Sequence, residues 1–120
     1  MILAVRFPLR QALQGTFLLL GQRQAQTISK VSIAVSALFH EGRFDYLRIA
    51  LGAVAPTVVY ASQTESILKN GKLDAQKIEA AKRAIVHEVQ PISDIRSTAE
   101  YRRAMCPVLL DKALEELGMK

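Results

Sequence analysis

Two histidines, His40 and His87, a lone Cys106 and eleven aspartates and glutamates are the chain's imidazoles, thiol and carboxylates for acid–base, nucleophilic or metal chemistry. Their spacing assembles little of it. A nucleophile needs a base within hydrogen-bond reach, and a tight metal site needs three or four ligands converging on one point. His40 opens His40-Glu41-Gly42-Arg43, which reads as a turn, and His87 falls late in a helical stretch, where a cation suits the C-terminal dipole. Neither has Cys, Asp or Glu at ligand spacing, so no metal site is expected. Cys106 has no partner for an internal disulfide, reads as a small apolar helix residue, and suits a reducing compartment. Gly21, Gly42, Gly52 and Gly71 stand singly at element boundaries, so no phosphate-cradling glycine loop is present. Glu79, Glu88, Glu115 and Glu116 read as solvated helix faces and local ion pairs.

Two stretches differ in kind. "GQRQAQTISKVSIAV", residues 21–35, sets Gln22, Arg23, Gln24, Gln26, Thr27, Ile28 and Lys30 at the mouth of an apolar run. Its amides can hydrogen-bond a neutral, planar, polar partner but carry no acid, base or metal-ligand chemistry. "PISDIRSTAEYRR" places Asp94 and Arg96 in a tight connector just before a helix cap. An aspartate there can accept backbone amides and an arginine can reach a carboxylate or carbonyl, which makes the pair either a connector lock or a contact with a neighbouring domain or subunit.

Elements that could position these residues follow from periodicity. The first half alternates with period two and the second with a period near 3.6, an α+β order of strands followed by helices. Ile2–Phe7, stopped by Pro8, and Thr16–Leu20 are short strand candidates. Val31, Ile33, Val35, Ala37 and Phe39 share one face of a longer strand, and a turn with Gly42 at positive φ leads into Phe44–Leu51. On that return strand Leu47, Ile49 and Leu51 share a face, with Phe44, Tyr46 and Arg48 opposite. Val58–Tyr60 follows Pro56. Ser62-Gln63-Thr64-Glu65 has the spacing of a capping box and opens a helix ended by Gly71; Asp74 caps a second helix reaching about Val89. Ser97-Thr98-Ala99-Glu100 opens a third through Leu117, kinked at Pro107, with Met105, Leu109, Ala113 and Leu117 in one stripe.

At 120 residues, half of them hydrophobic and 22% charged, the chain is expected to form one globular domain over residues 1–120. Its apolar runs are far shorter than the roughly 20 residues of a membrane span, no cleavable leader pattern is present, and a cytoplasmic location is the expectation. A formal charge of +5 raises nucleic acid as a partner. The basic residues are scattered, the doublets Lys82-Arg83 and Arg102-Arg103 are the only clusters, and no aromatic residues interleave with them, so neither nucleic acid nor membrane binding is expected.

"AQTISKVSIAV", "RIALGAVAPTVVYASQTE" and "PISDIRSTAEYRRAMCPVLLDKAL" together resemble the C-terminal domain of the flavoprotein (FAD-binding, medium) subunit of molybdenum hydroxylases, the group of xanthine dehydrogenase and carbon monoxide dehydrogenase. The similarity runs over residues 2–117, and "ILAVRFPL" looks like the strand leading into that domain. The resemblance implies an antiparallel sheet of three or four strands packed on a three-helix bundle as a two-layer sandwich. It also implies FAD held mainly by N-terminal domains whose glycine-rich loops have no counterpart here, and partnership with the FAD-binding N-terminal domain, a molybdopterin subunit and an iron–sulfur subunit. Electrons in such enzymes pass from molybdopterin through iron–sulfur clusters to FAD. The chain alone is therefore not expected to be catalytic or to retain FAD. On the resemblance, residues 22–30 face the isoalloxazine edge, although Gln26 and Thr27 stand where the animal xanthine dehydrogenases carry acids. The rival reading is a free-standing protein-interaction module without a redox role. Strand edges without their neighbouring domain would favour a homodimer.

Overall fold

A computed structural model describes residues 1–23 and 27–120. Four strands, β1 (Gln14–Leu20), β2 (Val31–His40), β3 (Arg43–Gly52) and β4 (Val59–Tyr60), form one antiparallel meander in the order β1-β2-β3-β4. Three helices follow, α1 (Ser62–Lys69), α2 (Ala75–Ile85) and α3 (Ala99–Glu116). α3 lies on β1 and β2, α1 lies on β3, and α2 joins α1 to α3, giving the two-layer α+β sandwich.

Alternation decides the sheet's inner face. Val31, Ile33, Val35 and Ala37 of β2 and Leu47, Ile49 and Leu51 of β3 are buried, and they meet Leu68, Ile85, Leu109, Leu110 and Leu114 from the helices. The β2–β3 hairpin turns on Glu41 (φ 51°) and Gly42 (φ 78°), a two-residue loop in which His40 pairs with Arg43. Both left-handed dihedrals match the twist of the flanking strands, as in a type I′ turn.

Several expectations are corrected. Residues 2–7 form no strand, and Met1 to Leu9 stay exposed. Phe44 lies in the core rather than opposite Leu47, because Asp45 is an extra residue between the pairs Leu38–Tyr46 and Phe39–Phe44. This bulge inverts the alternation and sets the Phe44 ring 4.9 Å from that of Phe39. Ser62 does not cap α1: Ala61 occupies the cap without a side-chain bond, and the amides of Gln63 and Thr64 donate instead to Glu88, at 2.7 and 3.1 Å. α2 is capped by Asp74 as expected but ends at Ile85, after which His87 and Glu88 bond back by three residues in a tighter turn. In α3 the cap is Thr98, which accepts from the Tyr101 amide at 3.1 Å. The helix continues through Pro107, and its buried stripe is Arg102, Cys106, Leu109, Leu110, Ala113 and Leu114, with Met105 and Leu117 only half-buried.

Candidate functional site

The β1–β2 connection and the segment before α3 meet at one end of the sheet. The Lys30 amide closes the connection onto the Leu20 carbonyl at 2.7 Å, and the Arg23 amide donates to Thr27 Oγ1 at 3.2 Å. Gly21 permits this fold-back, since a Cβ there would overlap the Thr27 side chain. Lys30 Nζ sits 5.5 Å from the ring centre of Tyr101 in the first turn of α3, a cation–π contact that ties the loop to the helix layer.

Gln22, Arg23, Thr27, Ile28 and Lys30 line a recess of about 220 Å³ together with Arg96. The structure thus brings the polar loop and one member of the connector pair to a single surface. Gln24 and Gln26 lie outside the described residues. Asp94 is not at the recess. Its Oδ1 accepts the amides of Arg96 (2.8 Å) and Ser97 (3.1 Å), and its two oxygens take Arg102 Nη2 at 2.8 and 2.9 Å. The Arg96 amide, then the Ser97 amide and the Arg102 guanidinium, hold the Asp94 carboxyl below the usual carboxylate range against partial desolvation. Asp94 therefore fixes the backbone that presents Arg96.

Arg102 enters the sequence analysis only as half of a basic doublet, with no buried role. It is only 4% exposed and spans the fold, with Nη1 on the Ala53 carbonyl at 2.8 Å and Nη2 on Asp94. The signal that could have found it is its place at helical spacing from Cys106 and Leu109: an arginine on an apolar stripe requires buried partners.

Among the described residues no three of His, Cys, Asp and Glu cluster to hold a metal, and His40 and His87 are both exposed. Among the same residues no helix is long and apolar enough to cross a membrane. Burial pushes the Cys106 thiol up to about 11, opposed by the charge of Arg103. At pH 8 the native thiol is expected to react with an aromatic disulfide reagent at least roughly a hundredfold more slowly than a free cysteine of pKa about 8.5. Denaturant should remove the difference; fast reaction of the folded chain would contradict the burial.

The family model for the CO dehydrogenase flavoprotein C-terminal domain matches residues 18–117. The xanthine dehydrogenase FAD-binding subunit of Escherichia coli O157:H7 is 29% identical over 96 residues, covering 80% of this chain and 33% of that protein. The nicotine 6-hydroxylase medium subunit of Paenarthrobacter nicotinovorans is 26% identical over 98 residues, covering 82% and 35%. Carbon monoxide dehydrogenase from Hydrogenophaga pseudoflava, in a form lacking the Mo-pyranopterin moiety, superposes with a TM-score of 0.81 at 26% identity, over 89% of this chain and 37% of that one. The chain thus spans about a third of the length of these relatives. With the match across nearly all of the sheet and bundle, this chain belongs to the CO dehydrogenase flavoprotein C-terminal domain family.

Proposed function

We propose that the chain is the C-terminal domain of a xanthine dehydrogenase-type FAD-binding subunit, closing over the flavin and contributing to assembly with a molybdopterin subunit and an iron–sulfur subunit. The convergence of Gln22, Arg23, Thr27, Ile28 and Lys30 with Arg96 on one recess supports this reading, because it gathers hydrogen-bonding groups at one end of the sheet. The fit to FAD is partial. The recess is smaller than the roughly 300–1,000 Å³ of sites that enclose a drug-sized ligand, so these residues suit one polar edge of the cofactor and not the whole of it. FAD, when bound, supplies the redox chemistry. Gln22 and Thr27 would hydrogen-bond its edge, the apolar Ile28 would help exclude water, and Asp94 would keep Arg96 in place.

A cofactor held mainly through its phosphates has little affinity for a domain without their cradle. The chain alone is accordingly expected to purify without flavin absorbance and to co-purify with molybdopterin and iron–sulfur subunits when co-expressed. In the flavin-loaded subunit, Gln22→Ala with Thr27→Ala should shift the flavin's visible circular dichroism. An unchanged flavin spectrum, or recovery of an unrelated partner only, would favour the rival interaction module.

A further inference from the structure

The two edges of the sheet are finished differently. β4, at one edge, is two residues long and pairs with β3 only at Ala50 and Leu51, too short to template a further strand. β1, at the other edge, runs for seven residues and has β2 as its one strand partner among the described residues. Its sequence, QGTFLLL, contains neither the charge nor the proline that commonly blunts an open edge. In an antiparallel ladder every second residue turns its amide and carbonyl away from the partner, so β1 offers a row of free backbone groups. Beside them stand two exposed apolar side chains, Phe17 and Leu19.

The same chain holds a strand sequence without a sheet. Ile2, Leu3, Val5, Phe7 and Leu9 are all at least 71% exposed, and residues 2–7 pair with no strand among the described residues. The segment also leaves its own β1 behind. The Leu13 amide closes a turn onto the Arg10 carbonyl at 3.3 Å, and Arg10 Cζ lies 4.7 Å from the ring centre of Tyr46. Tyr46 belongs to β3, two strands in from the open edge, a distance of about 10 Å at ordinary strand spacing. This cation–π contact draws the chain inward over the uncovered sheet face, away from the edge with which residues 2–7 could pair.

We propose that residues 2–7 of one copy add as a fifth strand to the β1 edge of a second copy, and that the second copy does the same in return. Each copy brings one free edge and one free strand, so a two-fold axis satisfies both at once and closes the assembly as a dimer. The apolar area suffices. Phe7 and Phe17 are 71% and 62% exposed and each occurs twice in such a pair. A covered aromatic buries about 150–250 Å², so these four alone reach about a third of the ~1,200–2,000 Å² of a standard stable interface. Ile2, Leu3, Val5, Leu9 and Leu19 add to it. The inference is independent of the flavin reading, since the recess is lined by neither β1 nor residues 2–7.

Sedimentation of the 120-residue chain is expected to show a reversible dimer at concentrations on the order of 100 μM. Removing residues 1–9 should leave a monomer with an unchanged far-ultraviolet spectrum. Val5→Pro keeps the neighbouring apolar side chains but deletes an amide and interrupts the pairing, and it should weaken the dimer at least tenfold. Ile95→Ser, at an equally exposed apolar position far along the chain, should leave the dimer unchanged. In a mixture of differently isotope-labelled copies, NMR contacts are expected between residues 2–7 of one copy and Phe17 or Leu19 of the other. A monomer at that concentration, a dimer that survives either the removal or Val5→Pro, or contacts confined within one copy would each overturn the exchange.

Discussion

Replacing Arg102 with alanine is expected to lower the thermal midpoint of the chain by roughly 10 °C, from a loss of about 2–4 kcal/mol. The side chain is almost fully buried and its guanidinium bridges Asp94, before α3, to the Ala53 carbonyl at the end of β3. Truncation removes these charge-assisted bonds and the packing of the aliphatic stem together. Arg102→Met separates the two, since it restores the stem without the bonds; it should recover a minority of the loss. Arg102→Lys should also fall short, because one ammonium cannot serve the Ala53 carbonyl and both Asp94 oxygens in the fork geometry. A midpoint for Arg102→Ala within 2 °C of the parent, on the order of half a kcal/mol, would show that the bridge holds nothing.

The same bridge carries a pH signature. The folded-state carboxyl of Asp94 titrates below its unfolded value of about 3.9, so its stabilising contribution is complete above that value and is lost as pH falls through the lowered folded one. Stability should therefore drop on acidification below about pH 4, and Asp94→Asn should flatten part of that limb while keeping a side-chain oxygen as acceptor for the Arg96 and Ser97 amides. Because Asp94 and Arg102 are in contact, their substitutions should be non-additive in a double-mutant cycle.

How much of this was legible in the sequence depended on whether the deciding partner lay nearby in the chain. Strict alternation over Val31 to Ala37, with Gly42 beyond it, announced the hairpin because both signals are local. Asp74 likewise needs only the Lys77 amide three residues on, at 2.8 Å. Period two puts Phe44 on the wrong face because it has no memory of an inserted residue, and the bulge at Asp45 exists only as a misfit against β2. Gln22, Arg23, Thr27, Ile28, Lys30 and Arg96 are each marked by residue type and, for the loop, by resemblance, yet their meeting at one recess is a tertiary fact. In the doublet Arg102-Arg103 adjacency hides a difference that helical phase decides, sending Arg102 inward and Arg103 outward. The segment 2–7 has a strand's composition, but a strand is defined by pairing, and among the described residues it pairs with none.

Glu65 supplies the second large effect, and it turns the misread capping box into a prediction. Had the box formed, Glu65 would reach back to the helix's own N-terminus and its loss would cost about 1 kcal/mol. Instead its carboxylate is 6% exposed and points at the sheet: Oε1 accepts the Ile49 amide at 2.8 Å and Oε2 faces Arg48 Nη1 at 3.5 Å. β4 pairs with β3 only at Ala50 and Leu51, and the Ile49 carbonyl is taken by the Ala61 amide, so Glu65 stands where the next residue of a longer β4 would accept from Ile49. Glu65→Ala leaves that buried amide without a partner and opens a void beneath α1, for an expected loss of about 2–3 kcal/mol. Glu65→Gln keeps an acceptor of the same shape and should recover most of it. Glu88→Ala, which strips Gln63, Thr64 and the Thr64 hydroxyl of a shared acceptor at the α1 N-terminus, should cost about 1–2 kcal/mol. Urea unfolding ranks the three, and amide exchange at Ile49 discriminates their causes: it should accelerate in Glu65→Ala well beyond the global loss and track the global loss in Glu88→Ala. An Ile49 amide that stays equally protected in both variants would mean that Glu65 serves the helix after all.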